Sequence, residues 1–142
     1  MPLRRSIVLL TLAWLLAACE AASPGGATAT TPATSSAMEF RGQRPCVDCD
    51  GIDAWLRLEQ EGKARRFRLV EHYRAEGGDR RFEDEGEWQA EGDLLRLRSQ
   101  GGGERVYARL AEGMLQARDA RGRALPAMAD EVMVPVTFDT AH

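Results

Sequence analysis

Two cysteines at close spacing, Cys46-Val47-Asp48-Cys49, carry the most specific chemistry in this sequence, with Pro45 before them and Asp50-Gly51 after. Three chemistries suit that spacing. The first is a structural disulfide across a tight turn; closing so short a loop contributes about 2 kcal/mol through the entropy of the unfolded chain. The second is a thioredoxin-type redox pair, which normally sits at a helix start beside a βαβ unit, where the helix N-terminus stabilises a thiolate. The third is a soft-metal site, since two thiolates suit Cu(I) or zinc. A closed zinc site needs four ligands. The other soft or imidazole donors after residue 37 are His72, His142, Met38, Met114, Met128 and Met133, and nothing in their spacing brings them to the pair.

A third cysteine, Cys19, ends the segment Leu16-Ala17-Ala18-Cys19. Arg4-Arg5, an apolar run from Ile7 to Leu16 and then small residues form the pattern of a secretory signal. The small residues lead directly into the cysteine, which resembles a bacterial lipobox: residues 1–18 are expected as a lipoprotein signal peptide and Cys19 as the lipidated first residue of the mature chain. The apolar run is too short to cross a bilayer, which takes about 20 residues. Arg4-Arg5 alone is too little to mark twin-arginine export. Two lipid signals already give stable attachment, so the membrane is the expected partner, reached through the lipoprotein export machinery. Glu20 stands where an inner-membrane retention signal usually has Asp, and the expected location is the periplasmic face of the outer membrane. In that oxidising compartment an exposed cysteine pair forms a disulfide unless something keeps it reduced.

From Glu20 to Ala37 the sequence is Ala, Thr, Ser, Gly and Pro with almost no bulky apolar residue. Such a segment cannot bury enough surface to offset its ordering entropy. Residues 19–37 are therefore expected to be the lipidated cysteine and a flexible tether, with a root-mean-square span of about 23 Å. Residues 38–142 have the length of one small domain. The formal net charge is −3, and removing a leader that contains Arg4 and Arg5 makes the chain more acidic still. Nucleic acid is not an expected partner, because phosphate binding needs a basic surface.

The period within this domain is two. Ala54, Leu56 and Leu58 alternate with Trp55, Arg57 and Glu59. Phe67, Leu69 and Tyr73 share one parity, and Phe82, Gly86 and Trp88 another. Shorter runs follow at Leu94–Arg98, Arg105–Leu110 and Met114–Arg118, and Val132, Val134, Val136 and Phe138 alternate at the end. Glycine-bearing turns separate the runs, at Gly62, Gly77-Gly78, Gly92, Gly101-Gly102-Gly103, Gly113 and Gly122. Alternation punctuated this way predicts half-buried strands. The expected fold is all-β: a small antiparallel meander barrel of about eight strands, lipocalin-like. Ala124–Asp130 allows at most one helical turn. Gly86 suits either a sharp bend or a bulge. The predicted inward set is Leu56, Leu58, Phe67, Leu69, Tyr73, Phe82, Trp88, Leu95, Leu97, Val106, Leu115, Val134, Val136 and Phe138. So many bulky residues favour a filled interior over a ligand cavity. Glu71 and Asp84 fall on inward parities, either as buried, paired carboxylates or at a barrel mouth.

The stretch from Phe40 to Ile52, Phe-Arg-Gly-Gln-Arg-Pro-Cys-Val-Asp-Cys-Asp-Gly-Ile, resembles the signature of the N-terminal domain of the NlpE family, envelope lipoproteins linked to copper resistance. The family pattern is an aromatic, a glycine, then Leu-Pro-Cys-Ala-Asp-Cys, an acidic or proline residue, and Gly-Ile. The resemblance continues through Leu56 and Leu58, Tyr73, Phe82, Gly86-Glu87-Trp88, Leu95-Arg96-Leu97, Tyr107, Leu115 and Asp119-Ala120-Arg121-Gly122. It implies a lipocalin-related barrel anchored to the outer membrane, a part in sensing envelope or surface stress through a Cpx-type sensor kinase, and an association with copper. Cys46 and Cys49 match the family's cysteine pair. Arg44 departs from it, standing where the family usually has an apolar residue. The sequence runs to His142 without the second, OB-like domain of longer members, so signalling that needs that half is not expected of this chain alone. No catalytic residues are expected: there is no Ser–His–acid set, and Gly101-Gly102-Gly103 lacks the lysine and helix of a phosphate loop. The expected function is a non-enzymatic envelope-stress and copper-resistance lipoprotein, and the alternative is a lipocalin-like carrier of a small apolar ligand.

Overall fold

The computed structural model describes residues 34–136. The leader, Cys19, most of the expected tether, Phe138 and His142 lie outside them. Eight antiparallel strands close into a barrel in sequence order: β1 (Ser35–Arg44), β2 (Gly51–Glu61), β3 (Ala64–Arg74), β4 (Arg80–Glu91), β5 (Leu94–Ser99), β6 (Glu104–Arg109), β7 (Leu115–Arg118) and β8 (Val132–Pro135). The only helical segments among the described residues are single 3-10 turns at Ala111–Gly113 and Pro126–Met128. The all-β meander read from the alternation is therefore the fold. The strand that the alternation did not mark is β1. β1 begins at Ser35, inside the segment read as tether, because Ser35, Ser36 and Ala37 pair with Glu61, Gln60 and Glu59 of β2.

Register runs unbroken along every strand pair, so facing residues share a side of the sheet throughout. The inward row can be followed around the barrel as Phe40, Leu56, Leu69 and Asp84 on β1 to β4, and as Trp88, Leu97 and Arg105 on β4 to β6. The core consists of Phe40, Ala54, Leu56, Leu58, Phe67, Leu69, Trp88, Leu95, Leu97, Tyr107, Leu115, Ala117 and Met133. Gly86 is a close approach within continuous pairing and not a bulge. A Cβ there would sit 1.9 Å from the Arg98 carbonyl oxygen and 2.9 Å from Phe67, so the sheet coils tightly at a position where only glycine fits.

Three members of the predicted inward set are placed differently. Val106 is buried but on the opposite face, paired with Arg96 and Arg118, because the register sets Tyr107 against Leu95 and turns Tyr107 inward. Val134 is 49% exposed and Val136 is only half-buried, while Met133 fills the core. The reason lies on β1. Met133 pairs with Gly42, whose missing side chain leaves the room that Met133 takes: a Cβ on Gly42 would lie 3.0 Å from Met133 Cγ and 2.5 Å from the Val132 carbonyl oxygen. Tyr73 and Phe82 keep the inward parity but lie at the barrel mouth, with Phe82 51% exposed, and their rings meet edge to face at 4.9 Å.

The outer face is a ladder of opposite charges. Arg57 contacts Glu39 and Glu59, each at 2.6 Å, and Arg68 contacts Glu83 at 2.7 Å. Exposed pairs of this kind contribute at most about 1 kcal/mol each, so stability resides in the interior. Met133→Ala is predicted to lower unfolding stability by about 2–5 kcal/mol, and Val134→Ala by less than about 1 kcal/mol, as read from urea-induced unfolding. The reverse order would restore the parity suggested by the valine alternation and overturn the register described here.

Candidate functional site

The barrel has two unlike ends. At one end lie the tight β2–β3 and β4–β5 turns and the start of β1, where the Gly62 N–H meets the Thr34 carbonyl. Trp88 closes this end: its indole N–H donates to the Glu59 carbonyl at 2.9 Å, and the Arg65 guanidinium lies 4.9 Å from the ring centre. At the other end lie the β1–β2 loop with both cysteines, the β3–β4 and β5–β6 turns, and the long connection before β8.

Cys46 and Cys49 are joined by a disulfide, with their Cα atoms 5.3 Å apart. Both are half-buried, and Val47 between them is 98% exposed. The loop is held from its far side by the Asp50 N–H, which donates to the Arg74 carbonyl at 2.8 Å. Of the three chemistries that the spacing allows, the disulfide is the form present. The pair joins two strands, so no helix N-terminus is aimed at either sulfur to favour a thiolate.

Beneath this loop the interior turns polar. Glu71, 5% exposed, is the one buried charged residue among those described. Arg44 lies 3.0 Å from its Oε1, and Arg105 reaches its Oε2 at 3.1 Å and its Oε1 at 3.3 Å. Arg44 also donates to the Tyr73 hydroxyl at 3.2 Å and lies 3.8 Å from Glu131. Burial pulls the Arg44 guanidinium toward its neutral form, but the Glu71 charge and the Tyr73 hydrogen bond outweigh it and raise the pKa. The Tyr107 hydroxyl, inside the same end, is pushed up chiefly by burial. One atom is left over: Arg44 Nε is buried without a partner, a loss of about 1–3 kcal/mol for a buried donor. Asp84, the other inward carboxylate, is half-buried and accepts the Ser99 hydroxyl.

The sequence marked Cys46, Cys49, Glu71 and Asp84; the fold gathers the first three at one end, and Asp84 is held by Ser99 beside the β5–β6 turn of that same end. The sequence did not mark Arg44 or Arg105 as partners of Glu71. The parity of Phe40 and Gly42 turns Arg44 inward, and that of Tyr107 does the same for Arg105, so both were available from correct strand phases.

The interior at this end holds a cavity of about 20 Å³, lined by Arg44, Glu71, Tyr107 and Met133 among others. One water needs about 10–15 Å³, and a ligand pocket about 300 Å³ or more. Among the described residues this cavity is too small for the apolar ligand of the carrier alternative. On the outer face, a groove of about 890 Å³ lies between the charged side chains of β2 to β5.

A family model, the NlpE N-terminal domain, matches residues 40–127, a span that includes the disulfide loop and most of the barrel. The chain belongs to this family. Among solved structures it is similar to the crystal structure of the Cpx pathway activator NlpE from Escherichia coli, at 30% identity and a TM-score of 0.51. That match covers 62% of this chain and 44% of the other, so the chain spans less than half of that relative. No curated protein sequence matches the chain.

The copper association implied by the family can be set against the donors. In the disulfide, neither sulfur is a thiolate. His72 is exposed on β3, Met133 is in the core and Met128 packs against it. Among the described residues no group of three or more His, Cys, Asp or Glu side chains is arranged to hold a metal ion. Titration with Cu(I) is predicted to show no uptake by the oxidised chain and uptake after reduction, with Cys46→Ser/Cys49→Ser inert in both conditions. Equal uptake by that variant and the reduced wild type would place any copper site elsewhere.

Proposed function

We propose that this chain is a lipid-anchored protein of the periplasmic face of the outer membrane that acts in envelope-stress signalling, by binding rather than by catalysis. The observation that carries the reading is the family match over the disulfide loop and barrel, together with 30% identity to a Cpx pathway activator. In this reading residues 1–18 are the signal peptide, Cys19 receives the lipid after passage through the export machinery, and the segment after it is the tether. The partner is a Cpx-type sensor kinase.

The geometry suits such a role. The chain enters the barrel at Ser35, and β1 runs from there to Arg44, directly before the disulfide loop. Ten extended residues span about 33 Å. The loop with its exposed Val47 is thus at the opposite end of the barrel from the point where a tether joins. Copper resistance belongs to this reading through the reduced pair alone, since the disulfide has no thiolate to offer.

The test is a Cpx-responsive transcriptional reporter in a bacterial host, with membrane fractionation of the same cells. Production of the wild-type chain is expected to raise the reporter while the protein is found in the outer membrane. Cys19→Ala is expected to leave the outer-membrane fraction. A silent reporter with wild-type protein correctly placed would reject the signalling role, and wild-type protein in the inner membrane would reject the location.

A further inference from the structure

The Arg44–Glu71 contact sits next to the loop that holds the disulfide. Only Pro45 separates Arg44 from Cys46. Proline fixes its own φ near −65° and confines the preceding residue to extended conformations, so little slack exists between the two. On the far side the Asp50 N–H ties the loop to Arg74 of β3. With the disulfide closed, the loop is fixed at both edges, and the backbone of Arg44 with it.

The side chain of Arg44 has a weak hold of its own. It bridges three elements, contacting Glu71 and Tyr73 on β3 and Glu131 before β8, yet its Nε is buried without a partner. A buried ion pair roughly breaks even against the cost of desolvating its members. Glu71 has a second cationic partner in Arg105, at 3.1 Å. The pairing of β1 with β2, which ends at Arg44 and Ile52, turns Arg44 inward; the closed loop clamps that strand end and so limits how far the side chain can leave Glu71.

We propose that Arg44 is a positioning residue that couples the Cys46–Cys49 bond to the buried carboxylate: the closed disulfide holds Arg44 on Glu71, and the Arg44–Glu71 contact in turn stabilises the disulfide. The second half follows from the first, because coupling between two equilibria is reciprocal. Reduction takes two electrons and two protons from thiols of the glutathione class, which become a disulfide as Cys46 and Cys49 become thiols. Arg44 is then released from Glu71, and the mouth of the barrel loosens at β1. This deepens the sensing role proposed above by giving the loop a readout inside the barrel. The coupling is measured on the isolated chain, so its failure leaves the reporter result standing.

The full chain in detergent is equilibrated in glutathione buffers of graded potential, and the state of the pair is read by differential alkylation and peptide mass spectrometry, so that Cys19 does not enter. Arg44→Met is expected to shift the equilibrium toward the reduced pair by about tenfold, or about 30 mV. Glu71→Gln is expected to shift it in the same direction and provides the answer if Arg44→Met does not fold. Arg105 contacts the same carboxylate from β6, a strand not joined to the loop, and Arg105→Met is expected to leave the equilibrium unchanged. Equal shifts in Arg44→Met and Arg105→Met would mean a general loss of stability and would overturn the proposal. So would an unchanged equilibrium in both Arg44→Met and Glu71→Gln.

Discussion

The close approach of β8 to β1 at Gly42 closes the sheet, and the interior exists because of it. The Val132 carbonyl oxygen and Met133 side chain occupy the space that a Cβ on Gly42 would need. A closed sheet has no free edge along its paired strands and gives every inward side chain a partner across the barrel. It also settles the phase of β1. With Phe40 and Gly42 turned inward, Arg44 follows two residues later, at the mouth and over Glu71. The polar end of the barrel is thus a consequence of the same pairing that builds the apolar core.

The two ends are closed by different physics. Trp88 seals one with a large apolar surface, its indole N–H satisfied by a backbone carbonyl. The other is sealed by a carboxylate between two guanidiniums. Ion clusters of this kind add little net stability compared with packed apolar groups, but removal of one member leaves a charge or donor unanswered. That end is consequently the conditional one, and it carries the disulfide loop and the most exposed apolar residue of the described chain, Val47. Asp119 stiffens the neighbouring connection: its carboxylate accepts the N–H groups of Arg123 at 2.7 Å and Arg121 at 3.0 Å, which hold its pKa below the usual carboxylate range.

Much of this was legible in the sequence because a half-buried strand writes its phase in alternate residues. Leu56 and Leu58, Phe67 and Leu69, and Leu95 and Leu97 are inward as their spacing implies, and the glycine turns fall where the chain reverses. β1 was not legible, since Ser35, Ser36 and Ala37 have no apolar contrast with the tether before them. β8 was misread because valines alternate on its exposed side while the inward position holds methionine beside a glycine. For so short a strand, the choice of face depends on the space left by its neighbour and not on its own pattern. Glu71 was visible as an inward acid, but its partners were hidden by the same phase errors: Arg44 lies on the unmarked strand, and Arg105 lies on the strand whose inward residue is Tyr107 rather than Val106. The cysteine spacing admitted three chemistries, the inferred oxidising compartment favoured the disulfide, and the structure shows it.

The most direct test of the account is the closing contact itself. Nuclear Overhauser spectra of the oxidised chain are predicted to connect Gly42 with Met133 across β1 and β8, and the Met133 side chain with Leu115 on β7. Val134 methyl groups in contact with the core leucines, with no Gly42–Met133 connection, would contradict it.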